Sequence, residues 1–344
     1  MSATVLVTAA GSIVAQGIIK SLKLSKRYTI ITSDMSPLAA GLYRSDTGIL
    51  GPPASSPAYI ESITQICEDN SVQAVFCGSD DELLTLAGAK EAIEKTGAKL
   101  LTGSTEALAV ARDKWRTYQF CKANNLPCAP SALPEDSNGF AKEFGFPLVI
   151  KPREGYGSLH FYLAKNKEEM DKAVLAIEQT GWRPILQKFL PSDAEFTTGV
   201  TVDKNSKYVM SSISIRKIIK HGQTYKAFID DFYGIRKSAE EVALKLGASG
   251  PINVQAKLEG DVPVLFEINP RFSATCPMRA AAGVNEPDIV FRNAILHEEV
   301  KVDSYKRLVC MRYWNEVYVP YPVYEKTSSS GRVQKECSFV PDYF

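Results

Sequence analysis

Two runs late in the chain carry side chains suited to a hard cation and a phosphate. Val264-Leu265-Phe266-Glu267-Ile268-Asn269-Pro270-Arg271 reads as an apolar strand ending in a carboxylate, an amide and a guanidinium, and Asn253-Val254-Gln255-Ala256-Lys257 is a second such strand upstream. Glu267 and Asn269 are two apart, so on a strand they share a face. With Gln255 they supply the oxygen donors that Mg²⁺ (or Mn²⁺) prefers, an ion that takes one or two protein carboxylates and completes its octahedron with nucleotide phosphates and water. Arg271, two residues further, points the same way and adds a permanent planar cation fit for an oxyanion or a phosphoryl group in transfer. Together these residue types describe a magnesium–nucleotide site.

The rest of the composition narrows the class. With 344 residues, 45% hydrophobic and 23% charged, the chain has the makeup of soluble globular material with room for two or three domains. Forty basic against 39 acidic residues leave a formal charge of +1, so no global field recruits nucleic acid or an anionic membrane, and a polyanion must be held locally. Seven cysteines without a CxxC pair argue against a disulfide framework, and His160, His221 and His297 lack zinc-site spacing. The start of the chain enters a strand-like run over 3–8, and no eighteen-residue apolar stretch occurs. The expectation is a cytoplasmic protein without a membrane span.

Elements that would position the site follow from periodicity. Residues 1–105 alternate short apolar runs (4–7, 28–31, 74–76, 99–101) with helical patterns (13–24, 59–68, 83–94), which predicts a parallel sheet covered on both faces. Gly11 and Asp34 fall where doubly wound folds place ligand-facing loops, but the segment around Gly11 is not a GxGxxG. A helix is expected over 113–124 and an extended connection over 126–134. The run 146–151 is a buried-type strand ending in Lys151, and the turn Pro152-Arg153-Glu154-Gly155-Tyr156-Gly157-Ser158 leads to a second strand over 160–163. Such a hairpin is a flap whose backbone N–H groups can cover phosphates. An α+β unit continues to the metal strands, and the Tyr-, Pro- and Ser-rich tail after Val309 reads as irregular structure packed on the body.

The order Lys114, then Val149-Ile150-Lys151-Pro152 with its glycine turn, then Leu186-Gln187-Lys188-Phe189-Leu190-Pro191 followed by Glu195, then Asn253-Val254-Gln255 and Phe266 to Arg271, resembles the ATP-grasp superfamily over about residues 1–300. Within it the chain looks most like the ATP-binding halves of the carbamoyl phosphate synthase large subunit. The resemblance implies an α/β and α+β architecture, a Rossmann-like pre-ATP-grasp domain followed by a two-lobed ATP-grasp fold. Its divisions fall at 1–105 (Rossmann-like), 106–185 (small lobe with linker helix and flap), 186–309 (large lobe with the metal site) and 310–344 (tail).

The resemblance also assigns roles. Lys114 and Lys151 match the phosphate-binding cations, Gly155 and Gly157 the flap glycines, and Ser158 adds a hydroxyl. Gln187, Lys188, Phe189 and Leu190 match the adenine hinge, with Gln187 standing where most relatives carry an acid. Glu195 matches the ribose-binding carboxylate. Asn253 faces phosphate or metal-bound water, Gln255, Glu267 and Asn269 match the metal ligands, and Arg271 with Lys151 forms the catalytic pair. For the substrate the candidates are Lys217, in the basic stretch 214–223, and Arg279 as a carboxylate clamp. Arg216 and Lys217 cannot share a strand face, so at least one is solvated. Cys276 reads as packing rather than nucleophile.

The implied activity is ATP-dependent ligation of a carboxylate to an amine through an acyl phosphate, with ATP and Mg²⁺ (or Mn²⁺), small-molecule carboxylate and amine substrates, no nucleic acid or membrane partner, and homodimer formation left open. Two other readings stand beside it. A nicotinamide-dependent oxidoreductase would rest on residues 1–35 alone, and a nucleotide-binding regulatory protein would have lost Glu267, Asn269 or Arg271.

Overall fold

The structure, a computed structural model, describes residues 2–155, 159–334 and 338–342, so Gly157 and Ser158 lie outside the described residues. The first third is built from β1 (Ala3–Val7), α1 (Ile13–Ser25), β2 (Tyr28–Asp34), β3 (Thr47–Leu50), α2 (Tyr59–Asp69), β4 (Ala74–Phe76), α3 (Asp80–Gly88), α4 (Lys90–Lys95) and β5 (Lys99–Leu100). These five strands pair in parallel in the order β3-β2-β1-β4-β5. On β1, Leu6 faces the core under α2 and α3, while Val5 and Val7 face the core under α1, as the two-residue period of a sheet buried on both sides requires. Ser12 caps α1 by accepting from Ala15 N. The helix expected over 83–94 is two helices that meet at Ala89.

A helical connector, α5 (Thr105–Ala111) and α6 (Lys114–Ala123), leads to the small lobe. There β6 (Ser131–Ala132), α7 (Ser137–Phe144), β7 (Leu148–Pro152), β8 (Tyr162–Ala164), α8 (Lys167–Glu178) and β9 (Pro184–Lys188) form an antiparallel sheet of order β6-β9-β7-β8. Leu148, Ile150 and Leu186 pack there against Met170 and Ile177 of α8. The boundary expected at 185 falls inside β9: the strand completes the small-lobe sheet to Lys188.

The large lobe contains β10 (Glu195–Val202), β11 (Val209–Lys220), β12 (Gln223–Ile229), α9 (Tyr233–Lys245), β13 (Gly250–Glu259), β14 (Val262–Asn269), α10 (Cys276–Ala282), α11 (Glu286–Ile295) and β15 (Leu308–Met311), with sheet order β14-β13-β10-β11-β12-β15. One face, with Val200, Ile252, Val254 and Ile268, packs on α9 and the connector. Met210, Ile213 and Ile215 of β11 share a core with α1, α10 and α11, which ties the large lobe to the Rossmann-like domain.

The tail departs from expectation. Its start, β15, is an edge strand of the large sheet, so a boundary at 309 would cut a strand. Beyond it α12 (Tyr321–Ser330) and β16 (Arg332–Gln334) return the chain to the first domain, where β16 pairs antiparallel with β3. Backbone pairing, which side-chain composition does not report, orders this segment. Among the described residues no helix is long and apolar enough to cross a membrane.

Candidate active site

A cavity of about 460 Å³ opens between the two lobes. Its floor is one face of the large sheet. Cross-strand register sets Asn253 opposite Asn269 and Gln255 opposite Glu267, and across β10 it sets Gln255 opposite Thr197 and Glu195 opposite both Lys217 and Lys257. Directly opposed residues share a face, so one pleated surface carries all these groups. The roof comes from Val149, Lys151 and Pro152 of β7, Gly155, Leu159 and Phe161 of the flap, and residues 187–190.

The cations divide into two kinds. Arg271 donates from Nε to Asp80 Oδ1 at 2.9 Å and from Nη2 to Asp80 Oδ2 at 2.7 Å, and also reaches Phe272 O and Asn269 Oδ1. Burial alone would raise the Asp80 carboxyl, but the charge and hydrogen bonds of Arg271 hold it below the usual carboxylate range. Lys217 pairs with Glu195 at 2.7 Å and donates to Gln255 Oε1, while Arg216 turns to the other face and stacks on Phe228 at 4.1 Å. Lys188 reaches Glu259 at 2.6 Å, bridging the lobes.

Among the described residues Lys114 and Lys151 have only neutral partners. Lys114 donates to Gly155 O at 2.6 Å and Arg153 O at 3.3 Å, pinning the root of the flap. Lys151, buried, donates to Gln187 Oε1 at 2.8 Å, and Gln187 Nε2 donates in turn to Ser131 at 3.1 Å. The Gln187 amide thus holds a lysine before any base. Burial, then the neighbouring Lys114, pushes the Lys151 ammonium down to about 8.

The donor set suits a hard cation. Glu267 is half-buried in the cavity wall with no hydrogen-bond or ion-pair partner among the described residues. Asn269 and Gln255 carry amide oxygens on the same face, each already accepting one hydrogen bond, from Arg271 and Lys217, and each with a second lone pair. No group of three or more His, Cys, Asp or Glu that would hold a metal by itself occurs among the described residues. That pattern suits Mg²⁺, which shares its shell with phosphates, and not zinc. Asn253 is fixed in the complementary sense: its Oδ1 accepts from Thr197 Oγ1 at 2.7 Å and Arg279 Nη2 at 2.9 Å. Its amide nitrogen is left to donate.

Leu190 packs with Ala129, Val264 and Phe266, so the hinge supplies the apolar slot expected of a base site. Every described residue assigned a site role lines the cavity except Arg279. The clamp reading of Arg279 is corrected: it is wholly buried, paired with Glu286 at 3.1 Å and bonded to Thr197 and Asn253. A cation sealed between that sheet face and the helices α10 and α11 can orient Asn253 but touches no solute. Cys276 is buried with its thiol pushed up to about 12 by that burial, in keeping with packing.

Sequence reasoning missed Asp80, whose only signal is the acidic first turn of α3, and Arg312, Ser273 and Thr275, which also line the cavity. Gly11 and Asp34, the basis of the oxidoreductase reading, bond to one another (Gly11 N to Asp34 Oδ2, 2.7 Å) and do not line it.

Fold and cavity together have the form of an ATP-grasp fold: two sheet-bearing lobes around a cleft, a hairpin roof and an oxygen-donor floor. Comparison agrees. Residues 5–101 match the family model for a PylC-like N-terminal domain, and residues 184–317 match the one for ATP-grasp in the biosynthetic pathway with Ter operon. The carbamoyl phosphate synthase large chain of Helicobacter pylori is 23% identical over 282 residues, 77% of this chain and 26% of that protein. The arginine-specific large chain of Bacillus subtilis is 24% identical over 233 residues, 64% of this chain and 22% of its own length. The chain therefore spans about a quarter of these relatives. Among solved structures, an N5-carboxyaminoimidazole ribonucleotide synthetase in complex with ADP superposes with a TM-score of 0.71 at 15% identity, covering 90% of this chain and 80% of that one. Biotin carboxylase from Campylobacter jejuni gives 0.69 at 18%, covering 88% and 73%. At these identities the likeness establishes the fold.

Proposed function

We propose that the protein is an ATP-dependent ligase that activates a carboxylate as an acyl phosphate and joins it to an amine, releasing ADP and phosphate. The observation that carries this reading is the single cavity in which two lysines without carboxylate partners among the described residues, a Glu267 likewise without a partner among them and flanked by amides, and Arg271 converge beneath a hairpin roof. Phosphoryl transfer needs positioning and charge neutralisation above all, and this set supplies both.

In this reading Lys114 and Lys151 neutralise nucleotide phosphates, the hinge and Phe266 enclose the base, and Glu195 accepts from ribose. Glu267, Asn269 and Gln255 hold Mg²⁺ (or Mn²⁺), which when bound screens phosphate charge. Arg271, held rigid by Asp80, faces the transferring group, and Gly155 lets the roof approach. Lys217 sits beside Glu195, where it fixes that carboxylate and Gln255. The reactants are small molecules, and the six described cysteines, all unpaired, suit a reducing cytoplasm.

The test starts from a screen of amino acids and small carboxylates for pairwise stimulation of ADP release. With ¹⁸O-labelled carboxylate, one label is expected in inorganic phosphate per amide formed. AMP with pyrophosphate, or unlabelled phosphate accompanying product, defeats the acyl-phosphate route.

A further inference from the structure

Arg312 is a cavity-lining cation that no nucleotide role explains. It follows β15, and its backbone N donates to Tyr225 O at 3.0 Å, setting the side chain beside the β11–β12 hairpin. Nη1 donates to Thr224 O at 2.9 Å and Nη2 to Ala274 O at 2.6 Å. Two carbonyls fix the plane of the guanidinium without neutralising it, and three of its five N–H groups remain to donate. No described carboxylate pairs with Arg312. A second cation stands near: Lys20 on α1, whose ammonium is lowered by burial and then by the charge of Arg312. Arg312 is half-buried, so its unneutralised charge is incompletely solvated there, and an anionic ligand would offset that cost.

The surroundings indicate what that ligand is. Ile219 is register-paired with Thr224, the residue that holds Arg312, and is 41% exposed although it lines the cavity. Ile13 and Val14 open α1, and the Cα and carbonyl of Ala274 pack close to Gly17 one turn along that helix. Ile13, at 45% exposed, is a second apolar side chain that the fold leaves uncovered in the cavity wall. The Lys114 and Lys151 pair belongs to the connector and the small lobe, whereas Arg312 belongs to the C-terminal segment. The cavity therefore draws its cations from separate parts of the chain.

We infer that Arg312 clamps the carboxylate of a small substrate, and that Ile13, Val14 and Ile219 enclose the short aliphatic body carrying it. The planar fork matches a carboxylate bidentately and permits discrimination between an acid and its ester. The inference rests on the ligase reading for the substrate's purpose, but its test needs no turnover.

Amino acids and short aliphatic acids, each beside its methyl ester, are titrated calorimetrically into protein saturated with Mg²⁺ and a non-hydrolysable ATP analogue. At least one acid is expected to bind better than its ester. In Arg312→Gln that acid loses about 10- to 100-fold in affinity, the range for a hydrogen bond to a charged group. The ester is unchanged and the nucleotide analogue binds as in the wild type. Arg312→Lys recovers part of the loss. If Arg312 merely staples the hairpin to the Ala274 loop, acid, ester and nucleotide weaken together, which overturns the inference. It is equally overturned if no acid is preferred over its ester, or if Arg312→Gln keeps the preference. A failed ligase reading would show separately, as an acid that binds through Arg312 yet never stimulates ADP release.

Discussion

The roof and the floor of the cavity treat positive charge differently. On the floor, Arg271 and Lys217 each meet a carboxylate, Asp80 and Glu195, at about hydrogen-bond distance. On the roof and connector, Lys114 and Lys151 meet only carbonyl and amide oxygens. A cation paired with a carboxylate is fixed and locally neutral, whereas one held by dipoles keeps its charge for a solute. The floor is thus a preset geometry, and the roof keeps its positive charge available to a solute.

Changes that strike the buried support of the floor, between the sheet and α10–α11, should cost most. Arg279→Ala leaves Glu286 buried and unpaired and frees Asn253, so a loss of about 3–5 kcal/mol in folding stability is expected, read from urea unfolding. Gly199→Ala should act in the same direction, because a Cβ there meets Glu286 and Arg279 directly. Wild-type stability with altered substrate affinity alone would return Arg279 to the substrate.

Arg271→Ala should lower turnover by at least about 10²-fold, as removal of a charge-stabilising donor does, with a smaller change in ATP affinity. Arg271→Lys should rescue poorly, since an ammonium cannot span both oxygens of Asp80. Near-normal steady-state rates in either variant would make the Asp80–Arg271 pair a domain staple.

On the roof the sharper test is pH. Burial holds the Lys151 pKa at about 8, below the ordinary lysine value of 10.5, so folding shifts the balance toward its neutral form. Stability contributed at this position is present above about 10.5 and lost as pH falls toward 8. Phosphate binding needs the charged form, so ATP affinity should decline as pH rises through about 8. Lys151→Arg, charged throughout, should flatten that limb in fluorescence or calorimetric titrations. An unchanged profile would remove Lys151 from phosphate binding.

The smallest effect is expected at Asp80. Asp80→Asn keeps one acceptor for Arg271 but removes the fixed counter-charge, so kcat should fall by about 3- to 10-fold with KM for ATP little changed, the loss of a positioning contact rather than a reacting group. A larger loss than in Arg271→Ala would reverse their ranking.

Much of this was legible in the chain because strands impose local rules. Glu267, Asn269 and Arg271 at spacing two, a lysine ending the apolar run 146–151, and alternating patterns over 1–105 fix faces and element types without reference to distant residues. They led to the floor, the flap and the parallel sheet. What sequence could not carry is which surfaces meet. Asp80 lies 191 residues from Arg271 and looks like any acidic helix start. Arg279 follows Arg271 by eight residues, yet the turn after β14 leads it into the buried seam between α10, α11 and the sheet, where burial forces a carboxylate partner upon it. Arg312 sits in a tail without periodicity and enters the cavity only because β15 pairs with β12. Local spacing determined the chemistry offered by each element; backbone pairing and the desolvation of charge between elements decided which cations are braces and which remain open to a ligand.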